Sequence, residues 1–316
     1  MGLPVVPVNI ALLDPPPGVV EVWCVAQPVV ASGQQGSVRY RYTGDLLFGS
    51  VTLHESDFTD LSIATAGTSP LQLATQQAFR EIFGLIDTFD CPYLLRVWNY
   101  FPAINAESHG LERYRQFNRG RQEGFIACGR SLEQSTPAAS ALGTISGPLV
   151  VYFIAGRAQP VAIENPRQVS AYHYPEDYGP RSPTFARASL GRVGVQEVLF
   201  ISGTASIVGH RSMHRGDVAA QTRETLANIE AVVAEANRLT AAGRYQVAQL
   251  SYKIYLRHAK DMEVIRHELV SACGSKVDAI YLEAEICRQE LLVEIEAMAG
   301  ITVERLCESP ENAAIE

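Results

Sequence analysis

The sequence predicts an α+β protein made of two related halves in tandem, each a mixed sheet packed on helices. Three observations carry this. Short runs of β-branched and aromatic residues alternate with long amphipathic helices. The order strands, helix, strand recurs from Val198 onward. Between the two runs lies a stretch with five prolines and little periodicity. A chain of 316 residues accommodates two ordinary domains, and 47% hydrophobic against 19% charged residues supplies a core and excludes disorder.

In the first half, Val19–Val25, Val38–Tyr42 and Leu46–Thr52 read as strands. Pro70–Phe89 reads as a helix: Leu71, Ala74, Ala78, Phe79, Ile82, Phe83 and Ile86 keep helical spacing, and Ser69-Pro70 suits an N-cap and first turn. Tyr93–Tyr100 is a strand, Gly110–Arg121 an arginine-rich segment of helix or coil. Ile126–Gly129 and Leu149–Ile154 are further strands. In the second half Val198–Ile201 is a strand. Asp217–Ala241 is an amphipathic helix with Leu226, Ile229, Val232, Val233 and Ala236 on one face and Gly243 just beyond. Val247–Leu256 is a strand and Asp261–Ala272 a helix. The expected division is 1–157, a connecting segment 158–192, and 193–316. Tyr172, Tyr174, Tyr178 and Phe185 argue that the connecting segment is ordered.

The stretch Tyr281–Ala299 alternates apolar and polar residues, breaks at Arg288-Gln289-Glu290, then alternates again, which reads as a hairpin. Glu283, Glu285, Glu294 and Glu296 stand in its strands, where acids are depleted. A carboxyl on a buried sheet face is pushed toward its neutral form and can deliver a proton near pH 7. The plain alternative is a solvated acidic face. Cys287 stands seven residues before Glu294, near the break.

Other classes find little support. A net charge of −8 argues against nucleic-acid and anionic-membrane partners. No apolar run reaches a membrane span, and no secretion signal opens the chain, so a cytoplasmic location is expected. Six scattered cysteines, Cys307 the last, show no metal or disulfide spacing. His210 and His214 lack a third ligand, Ser202 lacks the nucleophile-elbow glycines, and no phosphate-binding glycine loop is present. No metal or cofactor is expected.

Phe200-Ile-Ser-Gly-Thr-Ala205, Gly216-Asp217-Val-Ala-Ala-Gln221, Asn228-Ile229, Ile254-Tyr-Leu-Arg257 and Leu292–Ala299 resemble RidA/YjgF-type subunits. The resemblance implies two RidA/YjgF-like, chorismate-mutase-like domains in tandem. The arginine by which deaminase members clamp a carboxylate is matched by Ala279, which speaks against imine deamination. Glu112–Arg121, Tyr152–Arg157 and Tyr174–Arg187 resemble the chorismatases, which fuse an N-terminal domain to a RidA-like one and remove pyruvate from chorismate. Cys287 points to the type forming 3-hydroxybenzoate, alone or with 4-hydroxybenzoate, because the hydrolytic members tend to carry a small apolar residue there.

The resemblance makes Glu294 the acid that protonates the enol ether methylene and Cys287 the residue that steers the ring. Tyr114, Arg121, Arg157, Tyr174, Arg181, Gly203, Ala205 and Tyr281 are expected to bind substrate. Chorismate is a dianion, so an acidic protein needs local arginines to hold it. Water capture of the oxocarbenium would give a non-aromatic dihydrodiol; internal reaction of the ring hydroxyl would give an aromatic acid. Two alternatives stay open: a chorismate hydrolase, and a non-catalytic RidA-like binding protein. Either a monomer or a RidA-like trimer fits.

Overall fold

The structure, a computed structural model, describes residues 5–15, 20–65, 68–133, 136–175, 178–240 and 243–301. Val19, Glu176, Asp177, Ala241 and Cys307 lie outside the described residues. In chain order the first half contains β1 (Ala11–Asp14), β2 (Ala31–Gln35), β3 (Val38–Tyr42), β4 (Leu46–Leu53), α1 (Thr59–Ala64) and α2 (Pro70–Thr88). Then come β5 (Tyr93–Pro102), β6 (Glu107–Ser108), β7 (Leu111–Glu112), α3 (Arg113–Ala127), β8 (Ala138–Thr144) and β9 (Leu149–Gly156). After β10 (Val161–Ile163) follow β11 (Ala188–Val193), β12 (Gln196–Ala205), β13 (Ile207–Val208), β14 (Arg211–Ser212) and α4 (Val218–Leu239). β15 (Ser251–Leu256), α5 (Met262–Cys273), β16 (Asp278–Glu283) and β17 (Val293–Ala299) complete the fold.

The duplication is visible in the strand order. One sheet runs β2-β3-β4-β9-β5-β8 and the other β1-β16-β15-β17-β12-β11-β10. Aligning β3, β4, β5, β8 and β9 with β11, β12, β15, β16 and β17 reproduces every neighbour and every direction. The β5–β8 and β15–β16 pairs are parallel, the other equivalent pairs antiparallel. β1 from the N-terminal segment adds to the second sheet at β16, and β10 and β11 of residues 158–192 join it at the other edge.

Helices α2 and α3 cover the first sheet, α4 and α5 the second, and the two sheets face each other through a third apolar cluster containing Trp98, Tyr152, Phe200 and Tyr255. The helix caps follow the sequence: Ser69 Oγ accepts from Gln72 N at 3.1 Å, and Asp217 accepts from Ala220 N at 2.9 Å. α3 is polar and glycine-bearing, and it forms because Gly120 and Gly124 let it press onto α2. A Cβ on Gly120 would collide with Gln72 O, and one on Gly124 with Phe79.

Four expectations need correction. Ile126–Gly129 is not a strand but the end of α3 and its cap, since Phe125 remains packed on Phe79 and Phe83. Residues 20–25 pair with no strand; Trp23 instead lies against Trp98 and Phe200. The strand before α5 begins only at Ser251, behind a short 3-10 turn over Val247–Gln249. β16 and β17 do not form a hairpin. β15 lies between them, parallel to β16 and antiparallel to β17. Period-two alternation reports which way side chains face, and it is silent about which strand is the partner.

Alternation puts Glu294 and Glu296 on one face, and the structure decides between a buried and a solvated one. Val293, Ile295 and Ala297 pack toward the helices, while Glu294 and Glu296 point between the sheets and are 4% and 1% exposed. The solvated-face alternative fails for both. Glu296 meets Arg96 at 2.6 Å and Trp98 Nε1 at 2.9 Å from the first sheet, and Lys253 at 3.2 Å from its own. Ser140 of β8 hydrogen-bonds the same carboxylate. Burial works to raise its pKa, but Lys253 and Arg96, then Ser140 and Trp98, overcome this and hold it at about 2.

Glu296→Gln leaves Arg96 without an anionic partner between the sheets. Breaking one side of a buried ion pair costs about 3–5 kcal/mol, and urea unfolding should show a loss of that size. The folded pKa lies below the ordinary 4.5, so wild-type Glu296 stabilises the fold above pH 4.5. That contribution fades as pH falls toward 2. The Gln variant should show a shallower acid-side decline.

Candidate active site

Between the two halves opens a cavity of about 440 Å³. Its walls come from the β6–β7 turn and the start of α3, from the segment after β10, from the end of β12, and from the loop leading into β17. Glu294 and Cys287 both line it, with Tyr114, Tyr174, Gly203 and Ala205.

Glu294 owes its place to a backbone irregularity. The β12–β17 register shifts between Ile201 and Thr204, at Ser202-Gly203. Ser202 secures the bulge: its buried hydroxyl accepts from Ala139 N at 2.9 Å and donates to Ala186 O at 2.6 Å. That commitment also closes the serine-nucleophile reading. Gly203 then leaves room for the carboxyl, since a Cβ there would lie inside the Glu294 side chain. Any other residue at 203 would displace the acid.

Burial, and next to it the Glu296 carboxylate two residues along, push Glu294 up to about 8, against the pull of Arg96 and a hydrogen bond with Cys287. Glu294 is therefore mostly protonated at pH 7. Burial also pushes the Cys287 thiol up, with Glu294 adding to the effect, so Cys287 is a neutral thiol and not a thiolate. Ala205, Ile207, Ile286 and Leu291 pack around it.

The expected binding residues divide. Tyr114, Tyr174, Gly203 and Ala205 reach the cavity. Arg121 does not line it. It is 3% exposed behind Tyr114, holding Asn118 Oδ1 at 3.3 Å and covering Phe117, and burial lowers its pKa to about 10, so it stays charged. Arg157 stands elsewhere, at the end of β9, bonded to Tyr42 and paired with Asp90 at 3.7 Å. Arg181 is exposed and off the cavity wall. Tyr281 is buried in the core of the second half beneath Arg266. For Arg157 and Tyr281 the reason is the sheet: each points to a face or strand end away from the cleft.

Three other arginines stand on the cavity wall. Arg288 lies over the rings of Tyr178 and Tyr174, 4.1 and 5.3 Å from their centroids, and donates to His210 O and Ser212 Oγ. Arg187, 5% exposed, donates to Tyr174 Oη and Val169 O, both at 2.8 Å. Arg115 pairs with Glu112 at 3.2 Å on the cavity rim. Arg115 and Arg187 stand in the arginine-bearing stretches of the sequence, and Arg288 at the break in its last alternating run. His210 and His214 bond Tyr178 and Glu224, and among the described residues no three side chains are grouped as metal ligands. No helix among them is long and apolar enough to cross a membrane.

Comparison with known proteins places the whole chain in a family. A family model described as "Chorismatase FkbO/Hyg5-like, N-terminal" matches residues 21–155. A 3-hydroxybenzoate synthase of Streptomyces hygroscopicus is 36% identical over 287 residues, 88% of this chain and 80% of its own. A chorismatase of Streptomyces rapamycinicus is 37% identical over 288 residues, 89% and 82% of the two chains. The crystal structure of a chorismatase, 35% identical, superposes with a TM-score of 0.78 over 86% of this chain and 80% of that one. A RidA from an Antarctic Psychrobacter covers 45% of this chain and 99% of its own, at 19% identity and a TM-score of 0.32. With more than a third of residues identical across four-fifths of the 3-hydroxybenzoate synthase and of each of the two chorismatases, the chain belongs to the chorismatase family.

Proposed function

We propose that this protein removes the enolpyruvyl group of chorismate as pyruvate and converts the ring to 3-hydroxybenzoate, alone or with 4-hydroxybenzoate. The observation that carries the reading is a buried, protonated Glu294 facing a cavity between the two halves, with the Cys287 thiol beside it. Glu294 delivers its proton to the enol ether methylene, and its carboxylate then faces the oxocarbenium it has created. Positioned acid catalysis of this kind is worth about 10²–10⁴-fold. Arg115, Arg187 and Arg288 line the cavity beside Glu107, Glu112 and Glu290, so individual guanidiniums rather than a net positive wall would hold the two carboxylates of a dianion. Tyr174 and Tyr178 offer ring faces.

Chorismate splits into pyruvate and hydroxybenzoate with no net water, whereas the dihydrodiol requires one added water. The near-equal identities to a 3-hydroxybenzoate synthase and to a chorismatase do not separate these courses. Cys287 supports the aromatic one. The neutral thiol favours a steric or hydrogen-bonding role over nucleophilic attack. The steps need an acid, its conjugate base and fixed charges, so no cofactor enters the proposal. The cytoplasm is the proposed location.

Glu294→Gln should reduce pyruvate release from chorismate by at least about 100-fold while unfolding like wild type. Release within tenfold of wild type would sink the assignment. Because the raised pKa keeps the acid form up to about 8, kcat/KM should be level near neutrality. Above that it should drop tenfold per pH unit as the proton is lost.

Cys287→Ala should still release pyruvate, with less 3-hydroxybenzoate and more dihydrodiol by chromatography. Cys287→Ser nearly keeps the volume; wild-type products from it would indicate shape, and Ala-like products would indicate the thiol. An unchanged ratio in the Ala variant would make Cys287 a packing residue.

A further inference from the structure

Arg257 follows β15, outside the cavity wall, and no proposed chemical step uses it. Its hydrogen bonds are nevertheless concentrated on one loop. Nε donates to Leu291 O at 2.8 Å, and one Nη donates to Ile286 O and Arg288 O, both at 3.0 Å. Its backbone N donates to Leu292 O at 3.0 Å. The two Nη contacts fall on the residues flanking Cys287. The same Nη reaches Asn105 Oδ1 at 3.1 Å, across the interface on the cavity wall of the first half. A half-buried guanidinium is thus spent on backbone carbonyls, a task for which its planar fork has the donors and directions.

We propose that Arg257 is a positioning residue that sets the product partition by fixing the loop on which Cys287 stands. The inference rests on the function proposed above. Glu294 is held by other means: its strand is paired on both sides, opposite Ala205 and Tyr255. Gln221 secures the entry to that strand, accepting from Leu292 N at 2.8 Å and donating to Glu290 O at 2.9 Å. Loss of Arg257 therefore loosens the Cys287 side of the loop more than the acid.

Both courses begin with the same proton transfer to the methylene. In one, water adds to the oxocarbenium carbon, and the hemiketal collapses to pyruvate and the dihydrodiol. In the other, the neighbouring ring hydroxyl displaces the activated group and pyruvate leaves with the ether oxygen; the bridging oxygen then releases one of its two ring carbons as the other gives up its C–H proton, which makes the ring aromatic and replaces the proton that Glu294 supplied. A loosened loop admits water beside the ring and favours the first.

The test compares Arg257→Gln and Arg257→Lys with wild type on chorismate, measuring total pyruvate, the ratio of aromatic acid to dihydrodiol, and the thermal midpoint. The Gln variant should go on releasing pyruvate while its aromatic fraction falls at least threefold, with a matching rise in dihydrodiol. Lys keeps the charge but not the fork and should fall between. Adding Cys287→Ala to Arg257→Gln should move the ratio no further than Cys287→Ala alone. A merely structural residue would lower the midpoint and total pyruvate and leave the ratio unchanged, and that result overturns the proposal. If the Gln variant does not fold, the Lys ratio decides in the same way. Wild-type protein that releases no pyruvate from chorismate would instead overturn the function itself, and this inference with it.

Discussion

The Glu296 carboxylate is the interaction on which the rest depends. It is anionic between two sheets, where an unpaired charge would be prohibitive, so it must gather Arg96, Trp98 and Ser140 from one half and Lys253 from the other. Those partners fix how the halves face each other. The aromatic cluster around them, with Tyr100 and Tyr255 hydroxyls 2.8 Å apart, then has one arrangement that satisfies its polar atoms. The cavity lies at the same interface, so its shape follows from this registration.

The second consequence is chemical. Two carboxyls two residues apart on one strand face share the interface, and the cations are placed on only one of them. Glu296, with Arg96 and Lys253, is held at about 2; Glu294, buried and beside that anion, is pushed up to about 8. The pair acts on stability in opposite senses. Glu296 adds stability that is lost as pH falls below 4.5. Glu294 keeps a proton that the unfolded chain releases above 4.5, so its contribution declines as pH rises from there toward 8. The neutral acid costs stability at pH 7, a cost that fits the proton-donor role proposed for it.

Legibility in the sequence followed the physics of each signal. Periodicity placed Pro70–Thr88 and Val218–Leu239, because a stripe of apolar residues and a capping side chain are local. It put Glu294 and Glu296 on one face and failed to see β15 between β16 and β17, because partner choice depends on the crossover through α5. α3 was ambiguous because its stability comes from Gly120 and Gly124 nestling onto α2, a contact that composition does not reveal. At the site, the two members with a distinctive residue type in a distinctive place, Glu294 and Cys287, were legible. None of the favoured arginines, Arg121, Arg157 and Arg181, lines the cavity. Arg157 and Arg187 look alike in the chain, and only the fold shows one at a strand end with Asp90 and the other buried against Tyr174.

The state of Cys287 narrows what it can contribute to the ring's fate. Its thiol is packed among Ala205, Ile207, Ile286 and Leu291 and carries its proton, so a covalent thiolate path would have to overcome burial and the neighbouring Glu294. A neutral thiol has two remaining uses: it occupies volume, and it bonds the acid. The bond lowers the pKa of Glu294 and favours the carboxylate left after proton transfer. Volume excludes water from the place where an attacking molecule would stand. Only exclusion acts after the proton has moved and discriminates between capture by solvent and capture by the ring's own hydroxyl. On the proposed mechanism, the volume of one small side chain is therefore the quantity that bears most directly on the ring's fate.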